Sequence, residues 1–119
     1  MAKEIKYKPV VYVSVEPNPK SEDIPIINAL KQALFDLAMF DTKMELVKKQ
    51  AFKYEFKARY TRDRKLRRKY YAISKWYWKK YYKMMDERDK YVEKVVKLEN
   101  ELSKRGYKYI ETFYMCFAI

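Results

Sequence analysis

Histidine and cysteine are nearly absent from this sequence, so an enzyme of this composition would have to rely on carboxylates, Lys or Tyr, which is the less common case. Its 119 residues include no histidine, one glycine and one cysteine, Cys116. Histidine is the side chain that most readily transfers protons near neutral pH, and it is the commonest metal ligand. Without it, Ser-His-Asp and Cys-His arrangements cannot form, and a lone cysteine excludes a multi-cysteine zinc site. We therefore expect no catalytic residues, no metal site and no cofactor, and we interpret the protein as a non-enzyme.

Cations are the abundant functional groups. The chain has 28 Lys and Arg residues against 16 Asp and Glu residues, a net charge of +12. The excess is local: residues 43–83 carry 16 basic and 3 acidic residues, a net charge of +13, while residues 1–42 carry −1 and residues 84–119 carry 0. Clustered like charges repel one another, so such a segment is typical of a protein with a negative partner. The alternative is a solvated lysine-rich helix face, but such faces normally mix both signs.

Nine basic residues in this segment are predicted to contact nucleic acid. On a helix that turns about 100° per residue, five of them follow one side of an apolar stripe, and four extend the N-terminal end of that surface. Cations in this arrangement neutralise phosphates and release their counterions. The predicted set is Arg62, Arg64, Lys65, Arg67, Arg68, Lys69, Lys75, Lys79 and Lys83.

Four aromatic residues accompany these cations, namely Tyr71, Trp76, Trp78 and Tyr82. Three of them fall well away from the apolar stripe, and Trp76 falls between the stripe and the basic line. Aromatic rings beside Lys and Arg suit stacking on unpaired bases. Exposed tryptophan also marks protein interfaces, so the sequence leaves base stacking and a protein interface as two open interpretations.

Helices must position most of these side chains. Residues 26–105 contain neither glycine nor proline, and Pro25 suits the first turn of a helix that begins near Asp23. Thr42-Lys43-Met44-Glu45 fits a capping box and predicts a break at Asp41–Thr42. A further break at Thr61–Asp63 stays open. Apolar residues with helical spacing are predicted to face the core: Ile27, Leu30, Leu34, Leu37 and Phe40, then Met44, Val47, Ala51, Tyr54 and Ala58.

The last helix has the clearest pattern. Eleven positions advance by an average of about 3.6 residues, the period of a straight α-helix, and ten of them are apolar or aromatic. A helix of this length extends past a single small core and must pack along another helix or a second subunit. The positions are Leu66, Tyr70, Ile73, Tyr77, Tyr81, Met84, Arg88, Tyr91, Val95, Leu98 and Leu102.

Two extended segments flank the helices. Residues 10–15 are β-branched and aromatic, and Pro9 suits the start of a strand. Residues 107–118 are rich in Tyr, Phe, Ile and Thr, and Gly106 before them is a predicted helix C-cap. The apolar residues 113–119 are expected to belong to the core, with Cys116 as a small buried residue.

The predicted fold is mainly α with a minor β part (α+β) in a single domain, residues 1–119. It has an N-terminal strand at about 9–15, two or three helices at about 24–105 including one long amphipathic helix in the C-terminal half, and a C-terminal strand at about 107–118. Two strands alone form a marginal sheet. Pairing of the two termini, or of strands between subunits, would extend it, so we expect a homodimer.

The start of the chain bears on location. No apolar segment follows Met1 as in a signal peptide, and no stretch approaches the ~18–20 apolar residues that span a bilayer. These features lead us to expect a cytoplasmic, intracellular protein.

The leading functional interpretation is a basic, non-catalytic protein that binds nucleic acid through phosphates with little sequence specificity. The alternative is a small protein-interaction module, such as a viral or mobile-element inhibitor or adaptor, that docks on an acidic protein or a nucleoprotein complex. Binding of the basic amphipathic helix to an anionic membrane surface ranks third, because strands flank the helix and no lipidation signal is present. The sequence does not separate DNA from RNA, or single strands from duplexes.

Overall fold

Two helices and two strands make up the computed structural model, which describes residues 7–118. Strand β1 (Tyr7–Glu16) leads through a 3-10 turn (Ser21–Asp23) into helix α1 (Ile24–Tyr60). Helix α2 (Arg64–Lys104) and strand β2 (Tyr109–Ala118) follow. This order confirms the predicted α+β fold with a strand at each end. Residues 1–6, on which the expectation about a signal peptide rests, lie outside the described residues.

Helix α1 is continuous through residues 41 and 42, so the break predicted there is wrong. Every seventh residue along α1 is buried, namely Leu30, Leu37, Met44, Ala51 and Ala58. This seven-residue spacing is the same before and after the capping-box segment, as in one continuous helix. Asp and Thr inside a helix cost only about 0.5 kcal/mol each. The free energy gained by burying residues before and after the capping-box segment therefore outweighs the preference of that segment for a helix start.

The break near Thr61, which the sequence left open, is present between α1 and α2. Residues 61–63 are not helical, and the side-chain Oδ1 of Asp63 accepts hydrogen bonds from the backbone N–H groups of Lys65 (2.9 Å) and Leu66 (3.3 Å). Asp63 is thus the N-cap of α2, where it satisfies two backbone donors that lack an intrahelical partner.

The chain forms two compact units. Unit 1 consists of Met1–Phe40 and Arg88–Ile119, of which residues 7–40 and 88–118 are described, and unit 2 is Asp41–Glu87. Each unit therefore contains one segment of α1 and one of α2. The expectation of a single domain over residues 1–119 stays a prediction.

Unit 1 contains a two-stranded sheet that packs on helix residues. Strands β1 and β2 pair antiparallel, from Tyr7 opposite Ala118 to Glu16 opposite Tyr109, so the two termini of the described chain pair with each other. Alternate β1 residues such as Val11, Val13 and Val15 contact the core. The core also contains Leu30 and Leu34 of α1, Val95 and Leu102 of α2, and Tyr107.

The opposite face of the sheet is apolar and exposed. Phe113, Met115 and Phe117 point to this face and retain between 42% and 51% exposure, while Cys116 is half-buried. The expectation that residues 113–119 belong to the core is therefore wrong for these three side chains, because strand alternation directs them away from the helices. Ile119 lies outside the described residues.

The predicted positions of the long helix face inward as expected. From Tyr70 to Leu102 every member of the stripe is buried or half-buried, and Leu66 at its start is exposed. The single charged member, Arg88, donates a hydrogen bond from its guanidinium to the hydroxyl of Tyr114 (3.3 Å).

Helix α2 ends in a Schellman motif. Gly106 has a φ of 97°, which confirms the predicted cap, since a side chain there would be strained. The Gly106 N–H donates to the Ser103 carbonyl (3.2 Å) and the Tyr107 N–H to the Leu102 carbonyl (3.4 Å). Tyr107 and Leu102 are both buried, which supplies the apolar contact that accompanies this motif.

A buried carboxylate joins the start of α1 to the segment after α2. Asp23 is 2% exposed and accepts hydrogen bonds from the Tyr107 hydroxyl (2.7 Å) and the Arg105 guanidinium (2.9 Å). The Tyr107 hydroxyl also accepts from the backbone N–H of Lys20 (2.9 Å). The hydrogen bond from Tyr107, followed by the bond and charge of Arg105, holds the pKa of Asp23 below its ordinary value, although burial opposes this.

The lowered pKa of Asp23 predicts how stability depends on pH. A carboxylate whose pKa is lower in the folded than in the unfolded state stabilises the fold at pH values above its unfolded-state pKa, which is about 4. This contribution is lost as the pH falls through the folded-state pKa. We expect Asp23→Asn to lower the melting temperature by several degrees at pH 7. The gap between variant and wild type should narrow below about pH 4.

Glu22→Gln is the matched control, because Glu22 is the neighbouring carboxylate and is exposed. Thermal unfolding followed by circular dichroism between pH 3 and 8 measures both variants. If the melting temperature of Asp23→Asn differs from that of the wild type by the same amount at every pH, the role assigned to Asp23 is contradicted. An equally large decrease for Glu22→Gln also contradicts it.

Candidate nucleic-acid interface

Small buried side chains bring the two helix segments of unit 2 together. Ala51 and Ala58 of α1 are fully buried, and Ser74 of α2 is 3% exposed. The Ser74 hydroxyl donates a hydrogen bond to the Ala51 carbonyl oxygen (2.9 Å), so a serine side chain lies directly against the backbone of α1. Interhelical distance depends on the side chains at the contact. Sequence reasoning did not single out Ser74, because serine is more often exposed than buried.

Aromatic rings fill the space beside this contact. Tyr54 of α1 stacks on Tyr77 of α2 with ring centroids 5.9 Å apart, and it lies 6.1 Å from the ring of Tyr70. The ammonium of Lys57 lies 5.2 Å and 5.7 Å from the centroids of Tyr54 and Tyr70, within the range of a cation–π interaction. The packing of unit 2 therefore includes the Lys57 ammonium at the edge of this group of tyrosine rings.

Unit 2 holds most of the net charge of the protein. It contains 16 basic and 6 acidic residues, a net charge of +10. Of the 16 basic side chains, 15 are exposed and only Lys48 is half-buried. All nine cations predicted to contact nucleic acid are among the exposed ones. The sequence interpretation left out seven further cations that the same unit carries: Lys43, Lys48, Lys49, Lys53, Lys57, Arg59 and Lys80.

Charges in the middle of α2 lie close enough to act together. Lys75, Lys79 and Lys83 are all exposed and follow one another at four-residue intervals, a rise of about 6 Å each. This spacing is shorter than the Debye length of ~8 Å at physiological ionic strength. The three ammonium groups therefore reinforce one another's field, and added salt weakens that field.

Arg67 has a structural role in addition to its charge. Its Nε and Nη2 atoms both donate hydrogen bonds to the carbonyl oxygen of Thr61, at 3.0 Å and 2.9 Å. The Thr61 hydroxyl in turn donates to the Lys57 carbonyl oxygen. Arg67 thus fixes the loop between the two helices, a role that its sequence position did not indicate.

The four candidate stacking residues differ in environment. Tyr71, Trp76 and Tyr82 are exposed by 48%, 57% and 61%. Trp78 is half-buried and packs edge-to-face on Phe52 of α1, with centroids 4.9 Å apart. It also stacks on Tyr82 at 6.1 Å, so the structure brings Trp78 and Tyr82 together.

Trp76 belongs to a separate contact. The ammonium of Lys80 lies 5.4 Å from the centroid of its ring, and the ring meets that of Tyr77 edge-on at 4.9 Å. An exposed tryptophan with a cation over its face offers an aromatic surface and a positive charge at one place.

A surface depression of about 330 Å³ is lined by one of the predicted basic residues and two of the predicted aromatic residues. Its lining includes Tyr71, Lys75 and Trp78 together with the buried Ser74 and with Glu55 of α1. This volume lies at the lower end of the ~300–1,000 Å³ typical of ligand pockets. Two aromatic rings, one cation and one carboxylate suit a flat ring that carries hydrogen-bonding groups, such as a nucleobase.

Within residues 7–118, no three Cys, Asp or Glu side chains are placed so that they could hold a metal ion, and no helix is long and apolar enough to cross a bilayer. Comparison with protein-family models, curated proteins and solved structures finds no match to this chain.

Proposed function

We propose that this protein is a non-catalytic nucleic-acid-binding protein that contacts phosphates through unit 2 and stacks unpaired bases on its aromatic residues. The observation that carries the proposal is the concentration of exposed cations. Unit 2 has a net charge of +10, whereas the remainder of the chain carries +2. A cytoplasmic, intracellular location, where nucleic acid is abundant, belongs to the proposal.

Phosphate contact accounts for the number of cations better than a structural role does. Arg67 and Lys57 have partners within unit 2, but a stable helical pair does not need 16 basic residues. A polyanion offsets the mutual repulsion of these cations, and each phosphate contact releases a counterion. Such contacts carry no direct sequence information, so we expect little sequence specificity.

The aromatic residues support a preference for single strands. Tyr71 and Trp78 line the same depression as Lys75, so a base on the rings would bring its phosphate near an ammonium group. Paired bases in a duplex do not offer a free face for stacking. Single-stranded RNA or DNA is therefore the ligand class that uses the cations and the rings together.

The exposed aromatic rings of unit 2 also favour a second candidate function. Phe56, Tyr60 and Trp76 expose between 57% and 72% of their surface, and Tyr and Trp are enriched at the energetic centres of protein interfaces. In this alternative the protein is an interaction module, such as a viral or mobile-element inhibitor or adaptor. It would dock on an acidic protein or a nucleoprotein complex.

Removal of three ammonium groups tests the phosphate contacts. We expect Lys75→Gln, Lys79→Gln and Lys83→Gln together to weaken binding to all random-sequence oligonucleotides by a similar factor. If all three contact phosphates, the slope of log K against log salt should fall by roughly 2–3, which corresponds to about 100- to 1,000-fold weaker binding at 0.1 M salt. Fluorescence anisotropy over a salt series measures both quantities.

A matched control lies on the same helix. Lys90, Lys94 and Lys97 are also exposed residues of α2, but they belong to unit 1. Their replacement by Gln removes the same charge and should leave the slope unchanged. Equal effects of the two triple variants would show a general charge effect, and no binding by the wild type at low salt would favour the protein-interaction alternative.

Removal of single rings tests base stacking. We expect Tyr71→Ala and Tyr82→Ala each to weaken binding of single strands by about 1–3 kcal/mol, because a ring that stacks on a base contributes that much. Duplex binding should change less. Phe35→Ala is the control, since Phe35 is a partly exposed aromatic residue of α1 in unit 1.

Circular dichroism and anisotropy on each variant separate binding from folding. A folded Tyr71 variant that loses single-strand and duplex affinity equally contradicts stacking at the depression. A loss of the same size for Phe35→Ala contradicts the assignment of stacking to unit 2.

A further inference from the structure

The outward face of the two-stranded sheet in unit 1 is exposed, although most of its side chains are apolar. Val10 and Tyr12 of β1 and Phe113, Met115 and Phe117 of β2 all point to this face and are between 42% and 51% exposed. Val10 lies opposite Met115 and Tyr12 opposite Phe113, so the five side chains are contiguous. We propose that this face binds the same face of a second copy of the chain and forms a twofold symmetric dimer.

The area of the face suits a dimer. Large side chains of this kind have roughly 150–250 Å² each to bury, and about half of each is exposed here. The patch, with Tyr109 at its end, therefore offers on the order of 500–600 Å², at the upper end of what a typical monomer exposes as one patch. A standard interface buries about 800 Å² per partner, so the apolar patch alone supplies roughly two thirds of that area.

The charges at the ends of the face identify a second copy as the occupant. Lys8 lies at one end and Glu16 at the other, and both are exposed. A twofold axis perpendicular to the strands at the level of Tyr12 and Phe113 reverses the strand direction between copies. The lysine end of each copy then lies over the acidic end of the other. The face is thus complementary to itself, as a twofold interface requires.

The charge distribution along the chain also permits this pairing. Unit 1 has a net charge of only +2, against +10 for unit 2. Two copies that meet through the sheet face therefore bring together surfaces with little mutual repulsion. A second sheet on the open face would add to the support that helix residues give this two-stranded sheet on its other face. Aligned sheets pack about 10 Å apart.

Analytical ultracentrifugation of the full chain without nucleic acid tests the proposal. We expect a dimer at micromolar concentration, and we expect Tyr12→Thr with Phe113→Thr to raise the dimer dissociation constant at least about tenfold, because aromatic residues at the centre of an interface dominate its energy. Threonine preserves the strand preference of both positions. The control variant, Phe35→Ala with Phe56→Ala, removes two exposed rings of α1 and should remain a dimer.

A charge exchange tests the arrangement of the two copies. Lys8→Glu alone should weaken the dimer, and Lys8→Glu with Glu16→Lys should restore it. A monomeric wild type at 100 µM, a dimer that survives the Tyr12 and Phe113 changes with native circular dichroism, or a control variant that dissociates overturns the proposal. A monomer that sediments with anionic vesicles, and loses this binding when Tyr12 and Phe113 are changed, also overturns it and assigns the face to lipid.

Discussion

Mutual repulsion among 16 cations within residues 41–87 is the constraint on which the architecture of unit 2 depends. The unit has to bury enough surface between two helix segments while 15 of those cations stay in water. Small residues at the contact, Ala51, Ala58 and Ser74, let the helix backbones approach closely, and tyrosine rings fill the adjacent space. Tyrosine and tryptophan suit this position, since a ring packs on apolar atoms and also interacts with a nearby cation.

Unit 1 is stabilised by a different set of residues. Its core is mainly aliphatic, and its principal buried charge, Asp23, is matched by Tyr107 and Arg105. Buried charges persist only when they are paired and hydrogen-bonded, so this network specifies where the segment after α2 meets the start of α1. In our proposals, ligand binding belongs to unit 2 and self-association to unit 1. A dimer of such chains carries two basic surfaces and gains avidity for a long polyanion.

Features that depend on local periodicity could be predicted from the sequence, whereas contacts between residues far apart in the chain could not. The 3.6-residue stripe of α2, the glycine cap at Gly106 and both strands followed from spacing and backbone preference. The break at Asp41–Thr42 did not occur, because burial continues in register along α1. Ser74 and the network of Asp23 were not anticipated, since their partners lie 23 and more than 80 residues away. The depression beside Tyr71 depends on Glu55 from the other helix, which no single-helix pattern reveals.

The most direct test of the central claim is a map of the binding surface. Backbone amide signals of the isotope-labelled protein, recorded by NMR during titration with a short random-sequence single-stranded oligonucleotide, report which residues sense the ligand. We expect the shifted signals to cluster within residues 41–87, most strongly around residues 62–83, and to return toward their free positions as salt is added. Shifts confined to the sheet and its flanking residues, or no salt-sensitive shifts at all, would contradict the assignment of nucleic-acid binding to unit 2.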